Sequence, residues 1–415
     1  MIKSLLKTPK GVKNEARHVQ NAANENLPSA ERSVRNTARI GIVSKEMPRS
    51  KKSIRHSLRL SILNMFVVLI VLTMISSGCD KLRNEFLNEL PSGGGRAVAS
   101  YIQKNLVSDT ASNHVARLDS TLVNAWGIAI NPNGIFWINA NGTGLSEVYD
   151  MNGVPKRPPV TVPFPSGIVF NSTSDFIIPA TSEVSKFIFA SEDGKLYAWS
   201  SGDSARTVVD RSTAKSVYKG IELANDGSAN FLFATDFHNG KIDVFDKSFN
   251  LVASKPFTDP TLPTGFAPFN IRLIDDVLYV TYAKQLAPDN HDDEKGPGNG
   301  YVNIFDTDGS LLGRFVSQGK LNSPWGIEKA PQGFGQGKNV ILIGNFGDGR
   351  INVYEEKEGH FLRHLESYGM PVTIEGLWAI TFPDNRVPGD NPNKLYFTAG
   401  PNEESHGIFG YLKEQ

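Results

Sequence analysis

The chain says nearly the same thing twice. "LVNAWGIAINP" runs from Leu122 to Pro132 and "LNSPWGIEKAP" from Leu321 to Pro331. Internal repetition constrains a fold strongly, because each copy is one supersecondary unit that buries its apolar face only against its neighbours. Traced along the chain, the unit is an apolar strand, a gap, then a hairpin with a Gly-containing turn. The first copy is "NAWGIAI" with "GIFWINANGTGLSEVYD", and a divergent second is "SGIVF" with "FIFASEDGKLYAWS". The third is "YKGIELA" with "FLFATDFHNGKIDVFD", and the fourth "APFNIRLI", "VLYVTYA", a long insert and "GYVNIFD". The fifth is "SPWGIEKA" with "NVILIGNFGDGRINVYE", and the sixth "EGLWAITF" with "KLYFTAGPNEESHGIFGYL".

Each copy holds short runs rich in Phe, Ile, Val and Tyr, bounded by Gly, Asn and Asp, which reads as strand and turn. The turns "EDGK", "HNGK" and "GDGR" supply residues that tolerate positive φ, as tight hairpins require. No stretch of the body carries an amphipathic helix pattern. Six such units predict an all-β fold, a six-bladed β-propeller over 100–415. The weak second copy leaves five or seven blades, or a pair of β-sandwiches, as alternatives. "SYIQKNLVSD", Ser100 to Asp109, is expected to add the outer strand of the last blade and so close the ring.

The formal net charge is zero, yet residues 1–59 hold 14 Lys/Arg against 4 Asp/Glu, so residues 60–415 are acidic. An acidic body argues against nucleic acid as a partner. Residues 1–59 read as a basic, disordered leader and signal n-region, with Met47 as an alternative start. Residues 60–79, "LSILNMFVVLIVLTMISSGC", contain no charge and end on Cys79, the chain's single cysteine. Basic, then apolar, then small residues before a Cys predict a lipoprotein-type signal with Cys79 lipidated. An uncleaved anchor is the alternative, since the segment is long enough to span a bilayer. Residues 80–99 read as a tether. The expected place is a bacterial cell envelope, periplasmic or outer-surface, or secretion; the chain reads as a monomer held to a membrane.

In an antiparallel blade the innermost strand starts on the face where the second and third strands are joined. That face is expected to ring the axial channel with Asn124, Asn270, Asn322 and Glu375, oxygen donors able to hold Ca²⁺ or another divalent cation. Turn capping explains the same Asn residues, and core packing explains Trp126, Trp325 and Trp378. The insert "KQLAPDNHDDEKGPGNG" reaches this face as well, and its Asp289, Asp292, Asp293 and Glu294 form a second candidate cation site. Their spacing departs from an EF-hand loop, and a solvated acidic loop accounts for them too. Candidate acid–base groups are Glu375, His238, His406, Asp236 and Asp348, all in turns of this face. No Walker loop, dinucleotide fingerprint, H-E-x-x-H or G-x-S-x-G pattern occurs, so nucleotide and nicotinamide cofactors are not indicated.

"LVNAWGIA", "FTDPTLPTGFAPFNI", "GPGNGYVNIFD", "GNFGDGRINVY" and "LYFTAGPNEESHGIFG" resemble a family of uncharacterised secreted bacterial proteins near the NHL-type propellers. The likeness runs from about Tyr101 to Leu412. It implies secretion and a propeller, and no activity. Two functions follow as expectations: a binding or scaffold module taking a protein, peptide or glycan on the channel-mouth face, or a metal-dependent hydrolase of the lactonase or esterase type.

Overall fold

The computed structural model describes residues 99–415 except 333, 335–338 and 384–390. The leader, the apolar segment, Cys79 and most of the tether lie outside the described residues. Among the described residues no helix is long and apolar enough to cross a membrane.

Among the described residues six sheets follow one another along the chain as the blades of a propeller; a two-stranded hairpin, Glu366–Ser367 with Met370–Pro371, stands apart, and Arg117–Leu118 runs parallel to Tyr101–Ser108 at the edge of the last sheet. Blade 1 comprises Ala125–Ile130, Phe136–Ala140, Leu145–Tyr149 and Val160–Thr161, counted outward from the axis. Blade 2 comprises Pro165–Phe170, Phe187–Ser191, Lys195–Trp199 and Arg206–Asp210, so the divergent second copy is a full blade. Blades 3, 4 and 5 begin at Tyr218–Asn225, Phe266–Ile274 and Pro324–Lys329. Blade 6 runs Leu377–Thr381, Lys394–Ala399 and Ile408–Glu414, and its next strand is Tyr101–Ser108 from the start of the body. That pairing ties the two ends of the propeller together and leaves no open seam in the ring.

One device recurs in all six innermost strands. The ladder to the second strand slips between Ala125 and Ile128, Pro165 and Ile168, Tyr218 and Ile221, Pro268 and Asn270, Pro324 and Gly326, and Leu377 and Ile380. A bulge strands a backbone N–H and redirects the side chains beside it. Second-strand threonines take the stranded donors: Gly220 N reaches Thr235 at 2.7 Å, Asn270 N reaches Thr281 at 3.0 Å, and Ala379 N reaches Thr398 at 3.1 Å.

Side chains near the bulges also bond the next blade's backbone. Asn139 donates to Ser166 O at 2.9 Å, Ser166 to Tyr218 O at 2.7 Å, Asn270 to Trp325 O at 2.8 Å, and Thr398 to Trp126 O. These bonds stitch adjacent blades around the axis. Blades can approach this closely only where the repeat has glycine: a Cβ on Gly127 would lie 2.4 Å from Ser166 O, and one on Gly220 2.4 Å from Asn270 Oδ1. This is the physical content of the repeated "WG".

Candidate functional site

The residue before the bulge glycine, or its counterpart, is Trp126, Ser166, Lys219, Phe269, Trp325 and Trp378 in blades 1 to 6. Ring closure brings the large ones together. Trp378 stacks on Trp126 at 3.8 Å between centroids and on Phe346 at 3.8 Å, while Trp325 and Phe269 pack against Trp378 at 6.1 and 5.9 Å. The axis is therefore plugged by aromatic rings, with Trp126 and Trp378 each 2 % exposed.

Blade 3 breaks the aromatic pattern with Lys219, a side chain 2 % exposed. Its ammonium sits 5.3 Å from the Trp126 ring, 2.5 Å from Glu192 Oε1 and 3.2 Å from Asp292 Oδ1. Burial works against its charge, but Glu192 and Asp292 outweigh it and hold Lys219 above the usual lysine pKa. Glu192 comes from the blade 2 turn "SEDG" and also accepts from Asn141 at 2.8 Å. Asp292 comes from the insert, where His291 Nδ1 lies 3.0 Å away. The hydrogen bond from His291, aided by Lys219, lowers the Asp292 pKa and raises that of His291 in return.

Three further insert or turn groups complete the mouth. Glu404 of blade 6 accepts from Asn124 Nδ2 at 2.7 Å, and burial, reinforced by the charge of Glu192, raises its pKa. Asp293 is raised by burial against the pull of Ser323, Lys219 and Lys295, and its Oδ2 is sealed from solvent with no hydrogen-bond donor. Lys295 places its ammonium 4.1 Å over the Phe346 ring.

The ring of oxygens expected from the sequence is not assembled. Asn124 Oδ1 accepts from the Trp378 indole at 2.9 Å, Asn322 Oδ1 accepts from Gly296 N at 2.7 Å, and Asn270 is spent on Trp325 O. Glu375 is exposed and accepts from Asn402 N at 3.0 Å. The physical reason is register: these residues stand two before Trp126, one after Phe269, and three before Trp325 and Trp378. Equivalent placement demands equivalent offset, since a one-residue slip turns a side chain to the other side of a strand.

The insert carboxylates also separate. Asp289 is exposed and its carbonyl faces His238 Nδ1 at 2.9 Å, Glu294 pairs with Lys284 at 2.7 Å, and only Asp292 and Asp293 reach the mouth. Glu192, His291 and Asp292 bring one ligand atom each within 4.8 Å of one another. Lys219 Nζ, however, already lies between the two carboxylates and supplies the positive charge a cation would bring.

The remaining acid–base candidates hold turns. Asp236 is fully buried and accepts from Val217 N at 3.1 Å and Asn239 Nδ2 at 2.8 Å. Asp348 accepts from Asn345 at 3.1 Å and Arg350 N at 3.2 Å. His406 Nδ1 lies 2.7 Å from Asp109 Oδ2, and Asp109 Oδ1 accepts from Gly407 N at 2.9 Å, so His406 clasps the closing strand.

The opposite end of the axis is shut by charge as well. Arg272 pairs with Glu328 at 3.0 Å and with Glu222 at 3.7 Å, and Glu222 also accepts from Leu223 N and Leu273 N. Between the two plugs remains a cavity of about 40 Å³ lined by the innermost strands, including Gly127, Gly167 and Gly326. A larger hollow of about 740 Å³ lies beyond Arg272, by Lys329 and Phe382. It borders segments outside the described residues, and its Lys329 is already paired with Asp275 and Glu356.

Sequence reasoning missed Lys219, Glu192 and Glu404. For Lys219 a signal existed: "YKGI" puts a lysine where "AWGI" and "PWGI" put tryptophan.

Fold and site together define a six-bladed β-propeller with an ion-paired, aromatic plug on its axis. No protein-family model matches the chain. It is 31 % identical over 343 residues to uncharacterized protein L690 of Acanthamoeba polyphaga mimivirus, spanning 78 % of this chain and 88 % of that protein. It is 32 % identical over 342 residues to uncharacterized protein R648 of the same virus, spanning 78 % and 82 %. The chain belongs to the family of these mimivirus proteins. The resemblance noted above pointed to bacterial relatives, and these relatives are viral. Among solved structures, a streptogramin B lyase superposes with a TM-score of 0.47 at 13 % identity, over 77 % of this chain and 98 % of that one. The WD40 propeller domain of Doa1 superposes with a TM-score of 0.42 at 8 % identity, over 68 % and 77 %.

Proposed function

We propose that the protein is a binding or scaffold module that engages a protein, peptide or glycan partner across its channel-mouth face. One observation carries this reading: the mouth is closed by the Lys219–Glu192–Asp292 cluster resting on stacked Trp126, Trp378 and Phe346. A plugged axis makes a rigid platform of turns, with the insert as its most prominent relief, and long inserts on rigid scaffolds are where recognition tends to sit. The lactonase-type alternative loses its footing, because Asn124, Asn270 and Asn322 are committed to protein groups and Glu375 points elsewhere. We place the protein as a monomer at a cell envelope, held through Cys79 or the apolar segment before it; the charge pattern of residues 1–79 supports that placement.

The test is photo-crosslinking from a reactive side chain introduced at Asp289 on the mouth face, against Asn133 in the opposite-face hairpin of blade 1. A discrete adduct from position 289 and none from 133 is expected. Equal labelling from both faces, or none from either, overturns the reading.

A further inference from the structure

We propose that the channel mouth is a recognition site for a primary ammonium group on another molecule, and that Lys295 of the insert occupies it in the unbound protein. This deepens the binding-face reading and rests on it.

Phe346, Trp378 and Trp126 form a continuous stack, with 3.8 Å between successive centroids. The face of an aromatic ring attracts cations, and a lysine stands at each end of this stack. The two lysines differ in kind. Lys219 rises from an innermost strand, is sealed from solvent and is held by Glu192 and Asp292. Lys295 is exposed, sits in the loop "EKGPG", and touches the stack through the Phe346 face alone. Exposed contacts of this type bias a population only roughly two- to fivefold, so Lys295 is readily displaced.

Beside Lys295 is an unmet demand. Asp293 Oδ2 is sealed and has no donor in hydrogen-bonding geometry, and its carboxyl is supported only by the neighbouring Ser323 hydroxyl. Buried polar atoms of folded proteins nearly always have partners, so each exception calls for an explanation. Lys295, rooted two residues from Asp293, covers the ring without reaching that oxygen. A free-standing ammonium is compact and carries three donors. It can lie on Phe346 and donate to Asp293 Oδ2, with the Glu404 carboxyl close by. A quaternary ammonium offers the charge without the donors, and an alcohol offers a donor without the charge. Two sources present a primary ammonium: a polyamine, or a lysine side chain of a partner protein.

The experiment titrates n-butylammonium into the full-length chain in detergent and reads tryptophan emission, for the parent and for Lys295→Ala. Lys295→Ala is expected to bind about three- to sixfold tighter than the parent, since the competing ammonium is gone. Tetramethylammonium and 1-butanol are expected to give no saturable change, and Lys295→Ala/Asp293→Asn to lose the gain. Spermidine and a blocked lysyl peptide, titrated in parallel, separate the two sources by which binds tighter. An unchanged thermal midpoint in Lys295→Ala shows that the fold is intact. Equal affinity in parent and variant, or tetramethylammonium binding as well as n-butylammonium, overturns the proposal. Ammonium binding without face-specific crosslinks removes the macromolecular partner and keeps this inference; crosslinks without ammonium binding do the reverse.

Discussion

Glu147 makes the stability of this propeller depend on pH in a direction opposite to that of most paired carboxylates. It lies on the third strand of blade 1 and is 3 % exposed. Thr121 Oγ1 is 2.7 Å from Glu147 Oε1 and 2.6 Å from Asp119 Oδ1, and Tyr149 donates to Asp119 Oδ2 at 2.8 Å. A hydroxyl has one hydrogen, so Thr121 cannot donate to both carboxylates. The consistent chain has protonated Glu147 donating to Thr121, which donates to Asp119. Burial raises the Glu147 pKa from 4.5 to about 7, opposed by the Thr121 bond and helped by the charge of Asp119.

The native state therefore holds an extra proton between about pH 4.5 and 7, and stability falls as pH rises through that window. The full effect is about 3 kcal/mol. Glu147→Gln keeps a donor toward Thr121 and removes the titration. Urea unfolding of parent and variant between about pH 5 and pH 8 is the assay. The advantage of the variant should grow from near zero at the acid end to about 3 kcal/mol at the alkaline end. A difference independent of pH, or a variant less stable than the parent at pH 8, refutes the proton chain.

Two further outcomes follow from the packing. Lys219→Met removes the cation between Glu192 and Asp292 and should cost about 3–5 kcal/mol in chemical denaturation. Adding Glu192→Gln should recover part of the loss, and strict additivity in that double-mutant cycle would show that the two do not interact. Asp109→Ala takes the partner from His406 and from Gly407 N. It should cost about 1–3 kcal/mol and speed hydrogen exchange in Tyr101–Ser108; unchanged exchange there would mean the clasp does not hold the closing strand.

Much of the fold was legible because its signals are local. Strand, turn and repeat length are written in runs such as "FLFATDFHNGKIDVFD", where alternation and an Asn-Gly turn leave few conformations open. The strand-like start at Tyr101–Ser108 could be matched to the end of the chain because a ring has one place left for it. The site was less legible. Glu375 precedes a strand as Asn322 does, yet Gly376 adopts φ 67° and the chain turns before Leu377. In its place Glu404 curls inward from the run Asn402, Glu403, Glu404, all at positive φ. Nothing in "PNEESHG" announces three successive left-handed residues, a conformation that costs most side chains energy.

The sequence by itself determined an all-β repeat fold and pointed to six units, closure by the first strand, and the face on which turns and insert gather; the structure decided the blade count. Those follow from period-two patterning, turn chemistry and repeat count, each readable within a few residues. Only the tertiary structure decided what the axis holds. Side chains from five of the six innermost strands, Trp126, Lys219, Phe269, Trp325 and Trp378, meet there because each strand bulges at the same place. Their meeting turns one lysine among tryptophans into the buried cation of the site. Charge burial is a property of the closed ring, and no single blade contains it.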